Sequence, residues 1–200
     1  AYVVYAFGML RYIGAVKNTA APVITDLYPT RPASAQTYFD TYSQHWHVTD
    51  MDDPGTQVDE QSLRRFVTDA FVAAGVAESV ARRTADGLVA ASLRGVDSHG
   101  IRLLPHYLRE LDAGRINPEP DFHFEKRAAA VGSFDADHTY GIAAGKQAMQ
   151  EAIGLAEDAG AGHVSVKHST HNGSMACFGL MAAREDMIGI ATTHTSANTR

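Results

Sequence analysis

One cysteine among 200 residues, Cys177, excludes an internal disulfide framework. Basic charge is also scarce: 17 Lys and Arg stand against 23 Asp and Glu, for a net charge of −6. The cations are scattered along the chain, so the electrostatic footprint of a nucleic-acid-binding protein is missing. No apolar run approaches the roughly 18–20 residues that span a bilayer. The apolar opening, residues 1–16, is broken by Arg11 and Tyr12 and has no basic leader, a weak match to an export signal. No Gly-x-Gly-x-x-Gly follows a predicted strand, so a bound dinucleotide would not be held by the Rossmann fingerprint. Gly141-Ile142-Ala143-Ala144-Gly145-Lys146 resembles a phosphate loop but has one residue too few between its glycines. Gln147 also stands where Ser or Thr would hold magnesium. Metal-binding spacing is absent as well: there is no His-Glu-x-x-His, and Cys177 has no second cysteine beside it, so no metal site is expected.

What is present is the composition of a globular domain, 45% hydrophobic and 20% charged. Residues 1–57 read as an irregular extension, with Pro22, Pro29, Pro32 and Pro54 among many Ser, Thr and Asp from residue 17 onward. Order is expected from Asp59, a plausible cap for a helix whose Leu63, Phe66, Val67, Ala70, Phe71 and Ala74 fall at 3-and-4 spacing before Gly75. A second helix is expected over about Glu78–Leu93, ending near Gly95. A third passes through Leu104, Tyr107, Leu108 and Leu111 to Gly114, with Pro105 in its first turn. After Pro120 the pattern alternates: strand Ala128–Phe134, helix Ala143–Ala159, strand His163–Lys167, helix Ser174–Arg184, strand Met187–Thr193. The expected fold class is α/β, an amino-terminal helical segment followed by a βαβαβ unit of a mixed or parallel sheet. Ligands of such sheets gather at the carboxyl ends of the strands, where the loops 169–174 and 193–198 begin.

Ten histidines prompt a search for chemistry. His45 and His47 flank Trp46 in the irregular stretch and read as solvated. His123 and His138 sit beside turns, His163 starts a strand, and His106 on the third helix reads as a packing or surface residue. His99 and His171 differ because each lies in a loop fixed by structure at both ends. Ser98 places a hydroxyl beside the first and Asn172 an amide beside the second. A histidine titrating near neutrality can take the proton of a hydroxyl and return it to a carbonyl oxygen. Cys177, with Met175 and Leu180 on an apolar helix face, reads as a small buried hydrophobe.

The run Leu93-Arg94-Gly95-Val96-Asp97-Ser98-His99-Gly100-Ile101-Arg102-Leu103-Leu104-Pro105-His106-Tyr107 resembles the malate/L-lactate dehydrogenase family of non-Rossmann type. So do Gly114-Arg115-Ile116-Asn117-Pro118, Val131–Asp137, Ser169-Thr170-His171-Asn172-Gly173 and Met187-Ile188-Gly189-Ile190, covering about residues 58–200. That family also includes ureidoglycolate, sulfolactate, diketogulonate and cyclic imino acid enzymes. The resemblance implies hydride exchange between NAD or NADP and a small 2-hydroxy or 2-oxo acid. It implies His171 and His99 as the catalytic pair, with His171 favoured as the proton carrier, Ser98 as a ligand of substrate oxygen and Thr195 as a cofactor contact.

Two departures accompany it. Many members carry a substrate-binding Arg four residues after the turn histidine, where this chain has Leu103, so Arg102 becomes the candidate. Family chains also continue well past this point, through cofactor-gripping segments, so the sequence reads as a truncated amino-terminal part. On that basis residues 58–120 form a helical substrate-side segment and 121–200 the start of an α/β cofactor-binding domain. A cytoplasmic homodimer is expected by analogy, without nucleic-acid or membrane partners. The competing possibility is a non-catalytic remnant that serves only as a binding or subunit-interface module.

Overall fold

The computed structural model describes residues 2–8 and 58–193. In chain order the elements are β1 (Tyr2–Gly8), α1 (Glu60–Ala73), α2 (Glu78–Ser92), two 3-10 turns (Asp97–His99 and Ile101–Leu103) and α3 (Leu104–Asp112). Then follow β2 (His123–Ala128), β3 (Val131–Asp135), α4 (Gly141–Ala159), β4 (Ala161–Lys167), α5 (Ala176–Arg184) and β5 (Met187–Thr193). The chain is a mixed α/β protein.

Local chemistry explains the helices. The Asp59 carboxylate accepts a hydrogen bond from Ser62 N at 2.8 Å, capping α1 as its sequence suggests. Val67, Ala70 and Phe71 form its buried face. The α2 helix buries Val80, Ala81, Leu88 and Ala91, the four positions expected from its period. Pro105 falls at the start of α3, where its missing N–H costs nothing.

The five strands form one sheet in the order β2-β3-β4-β1-β5. The β3 and β4 strands run parallel, Gly132 opposite Val164 and Phe134 opposite Val166, with α4 as the crossover between them. The expected βαβαβ succession is present, with two corrections. First, β1 lies between β4 and β5, antiparallel to both, with Tyr2 opposite Val166 on one side and Thr193 on the other. Residues 2–8, counted with the irregular extension on sequence grounds, are therefore strand. The run Tyr-Val-Val-Tyr-Ala-Phe is rich in β-branched and aromatic residues, and a continuous apolar run suits a central strand as well as any leader. The remainder of that extension, residues 9–57, lies outside the described residues.

Second, the strand expected at Ala128–Phe134 is the turn and second arm of a β2/β3 hairpin with a register shift between Lys126 and Ala128. The β2 strand is largely exposed and charged, an edge strand without the apolar alternation that would announce it.

Two apolar cores result. In one, Val67, Phe71, Leu88, Tyr107 and Tyr140 join the helical segment to the start of α4. In the other, Phe134, Val164 and Val166 of the sheet meet Ala148 and Met149 of α4 and Phe178 of α5. Ile142 and Ala143 belong to the first core and Ala144 and Ala148 to the second, so α4 is shared.

Candidate active site

His99 ends the first 3-10 turn, closed by His99 N donating to Val96 O at 3.0 Å and Gly100 N to Asp97 O at 3.1 Å. The next residue has to be glycine because a Cβ on Gly100 would run into Ser92 Oγ. That hydroxyl in turn accepts from Ile101 N at 3.0 Å, which pins the turn to the end of α2. Ser98 Oγ lies 2.9 Å from His99 Nδ1, so the neighbouring hydroxyl expected to act here is in contact with the ring.

His171 lies in the connection from β4 to α5, a carboxyl-end loop of the sheet. Thr170 Oγ1 fastens this loop, donating to Thr139 O at 3.1 Å and accepting from Gly141 N at 3.2 Å. The start of α4 comes so close that a Cβ on Gly141 would meet the Thr170 carbonyl oxygen and sit 2.7 Å from that of His171. From the other side, the Tyr107 hydroxyl of α3 stands 2.8 Å from His171 Nδ1 and 3.4 Å from the His171 carbonyl oxygen. Tyr107 is itself buried, and its backbone carbonyl accepts from the Tyr140 hydroxyl at 3.0 Å.

These two supports bring the distant histidines together. The rings of His99 and His171 stack with centroids 5.6 Å apart and planes 27° from parallel. His171 is held below the ordinary histidine range, first by partial burial and then by its electrostatic interaction with His99 and His106. Burial pushes the Tyr107 phenol far above its usual range, so it stays protonated. The site therefore offers a neutral imidazole at neutral pH, held by a phenol that does not ionise.

Asn172 is 6% exposed, and its Nδ2 has no hydrogen-bond partner among the described residues. A buried donor left unmade costs about 1–3 kcal/mol, and such a group beside a reactive histidine suits a ligand oxygen. Arg102 stands exposed on the second turn and forms no hydrogen bond or ion pair among the described residues. Thr195 lies outside them. No group of three His, Cys, Asp or Glu arranged to hold a metal occurs among the described residues. Cys177 is buried, its thiol pushed up to about 11 by burial, and Sγ donates to Ser174 O at 2.8 Å.

Ser98, His99 and His171 are legible in the sequence, whereas the groups that surround them are not. Tyr107 reads there only as a core position, and its link to His171 crosses 64 residues. His106, which reads as a packing or surface residue, has its ring centroid 5.9 Å from that of Tyr107 and acts electrostatically on His171.

Residues 58–200 match the profile of the family described as malate/L-lactate dehydrogenase. The chain is 38% identical over 135 residues to the L-sulfolactate dehydrogenase of Methanocaldococcus jannaschii, covering 68% of this chain and 39% of that protein. It is 34% identical over 145 residues to the malate dehydrogenase of Pyrococcus abyssi, covering 72% and 40%. The solved malate dehydrogenase of Pyrococcus horikoshii superposes with a TM-score of 0.64 at 34% identity, over 67% of this chain and 38% of that one. The chain thus spans about two fifths of the length of these relatives.

Proposed function

Because the chain belongs to the malate/L-lactate dehydrogenase family, we propose that it carries the proton-handling half of an NAD(P)-dependent 2-hydroxyacid dehydrogenase of non-Rossmann type. The observation that carries this is the stacked pair His99 and His171, with His171 oriented by Tyr107 and kept neutral. In the oxidative direction the hydroxyl proton of a 2-hydroxy acid passes to His171 while the hydrogen on the same carbon leaves as hydride, giving a 2-oxo acid. A nicotinamide cofactor, when bound, supplies the hydride acceptor.

Nitrogen assignment follows from the Tyr107 contact. With its proton directed to the His171 carbonyl oxygen, the phenol accepts from Nδ1–H and leaves Nε2 as the base. His99, with Ser98 on its Nδ1, is the second polar wall and orients the substrate oxygen. Asn172 fits the reading, since its unpartnered Nδ2 is suited to a carboxylate or carboxamide oxygen of substrate or cofactor. Arg102 is the carboxylate partner proposed from the sequence and Thr195 the proposed cofactor contact. Residues 58–120 are assigned to the substrate side and 121–200 to the start of the cofactor side. A cytoplasmic homodimer is the proposed working form.

Assays of NAD(P)H formation from malate, lactate, sulfolactate and ureidoglycolate test the proposal. His171→Ala and His99→Ala should each lower turnover roughly 10²–10⁴-fold, the usual contribution of a positioned acid or base. Loss of only a few-fold in both would overturn the assignment. Dinucleotide binding without turnover would favour the binding-only alternative.

A further inference from the structure

A second concave site lies among the helices. The cavity, of about 420 Å³, is lined by Arg64, Arg83, Arg94, Lys146 and Arg184, with Asp86 as its one carboxylate and Cys177, Leu180 and Met181 as apolar wall. Five cations in one cleft are conspicuous in a chain of net charge −6 with only 17 Lys and Arg.

Pairing divides the five into two groups. Asp86 binds Arg64 at 2.7 Å and Lys146 at 3.2 Å, and Glu60 also holds Arg64 at 2.7 Å, so these two cations are matched by two carboxylates. Arg83 reaches only the amide oxygen of Gln147, at 2.7 Å, and Arg94 only the carbonyl of Ala90, at 3.2 Å. Neither they nor Arg184 forms an ion pair among the described residues. Three guanidinium groups therefore face one cleft without counter-charge, each keeping donors free in the planar fork that suits phosphate oxygens.

Charge narrows the ligand. Arg83 projects from α2, Arg94 from the turn just past its end and Arg184 from the end of α5, three guanidinium charges around one cleft. A single phosphate of about −1.5 to −2 would leave part of that charge unmatched, whereas a diphosphate matches it better. Leu180 and Met181 offer an apolar wall to an attached organic group.

We propose that this cleft binds the diphosphate of a small molecule through Arg83, Arg94 and Arg184, with Lys146 held in place by Asp86. The site is independent of the proton-transfer assignment to His171. Titration of the full chain with pyrophosphate, read by calorimetry and by melting temperature against sodium chloride of equal ionic strength, tests it. Saturable binding with a rise in melting temperature is expected for pyrophosphate and a weaker response for inorganic phosphate. Arg83→Gln and Arg184→Gln should each weaken binding by roughly tenfold, since each removes a charged hydrogen-bond partner. Their melting without anion should be unchanged or higher, because like charges are relieved. His171→Ala should leave the affinity as it was. Displacement of pyrophosphate by NAD(P)H would identify the diphosphate as that of the dinucleotide; co-occupancy would identify a separate phosphorylated molecule. A pyrophosphate response no greater than that to chloride, or undiminished binding by both arginine variants, would overturn the proposal.

Discussion

At the scale of the residue, the properties of His171 come from neighbours rather than from its own loop sequence. Burial favours its neutral form, and the electrostatic interaction with His99 and His106 acts in the same direction. The folded-state value therefore lies below 6.5, and protonation costs the fold stability as pH falls from that value through the lower one. An NMR titration of the His171 ring should give a midpoint below 6.5 in the parent chain, and His99→Gln should move it upward. A midpoint that stays put would remove His99 from the electrostatics of the site. Tyr107→Phe tests a different property. It deletes the hydroxyl on Nδ1 that is proposed to fix the ring's tautomer, and nitrogen shifts should report a mixture of Nδ1–H and Nε2–H forms. Turnover should fall roughly three- to tenfold, matching loss of a hydrogen bond worth about 0.5–1.5 kcal/mol. Sequence alone picked out the two histidines because short loops between rigid elements display them. It did not reveal Tyr107 as a partner, since an aromatic at helical spacing looks like core, and this one is core and hydrogen-bonding partner together.

At the scale of the element, legibility followed the range of the forces involved. The helices declared themselves through local periodicity and caps, and β4 and β5 through short apolar runs. The β1 strand has its partners more than 150 residues away, so no local pattern marks its place between β4 and β5. The carboxyl ends of β3 and β4 are tied by another contact of this kind. Asp135 faces His168 Nδ1 at 3.0 Å and Lys167 Nζ at 3.1 Å, and accepts from Asp137 N at 3.0 Å. His138 stacks on His168 with centroids 4.8 Å apart. The backbone bond from Asp137, followed by the contacts with His168 and Lys167, brings the Asp135 carboxyl down to about 2. A depressed carboxylate contributes stability above its ordinary value of 3.8 and loses it as pH falls through about 2. Asp135→Asn should therefore lower the melting temperature at pH 7, and the gap from the parent should narrow between pH 4 and pH 2. A gap constant across that range would show that the contacts act through shape and not charge.

For the molecule as a whole, α4 decides whether the helical segment and the sheet behave as one body. Its first turns enter the core of α1, α2 and α3, and its later turns cover the sheet. Ile142 is the hinge of this arrangement: fully buried, it fills the space left by Gly87 on α2 and, through Cδ1, that beside Gly173 in the His171 loop. Neither glycine could carry a Cβ without striking Ile142. The two cores should thus unfold together, with the near-ultraviolet aromatic signal, to which the packed Tyr107 and Tyr140 contribute, and the far-ultraviolet backbone signal sharing one denaturant midpoint. Separate midpoints would mean that α4 does not couple them. Ile142→Ala opens a cavity between α2, α4 and the His171 loop, for which the expected loss is about 2–5 kcal/mol. The variant should also loosen the stacking of His99 on His171, because the Gly173 side of the loop loses its support. Stability and turnover should therefore fall together after this one substitution in the core, whereas His171→Ala should lower turnover roughly 10²–10⁴-fold with little change in the unfolding midpoint.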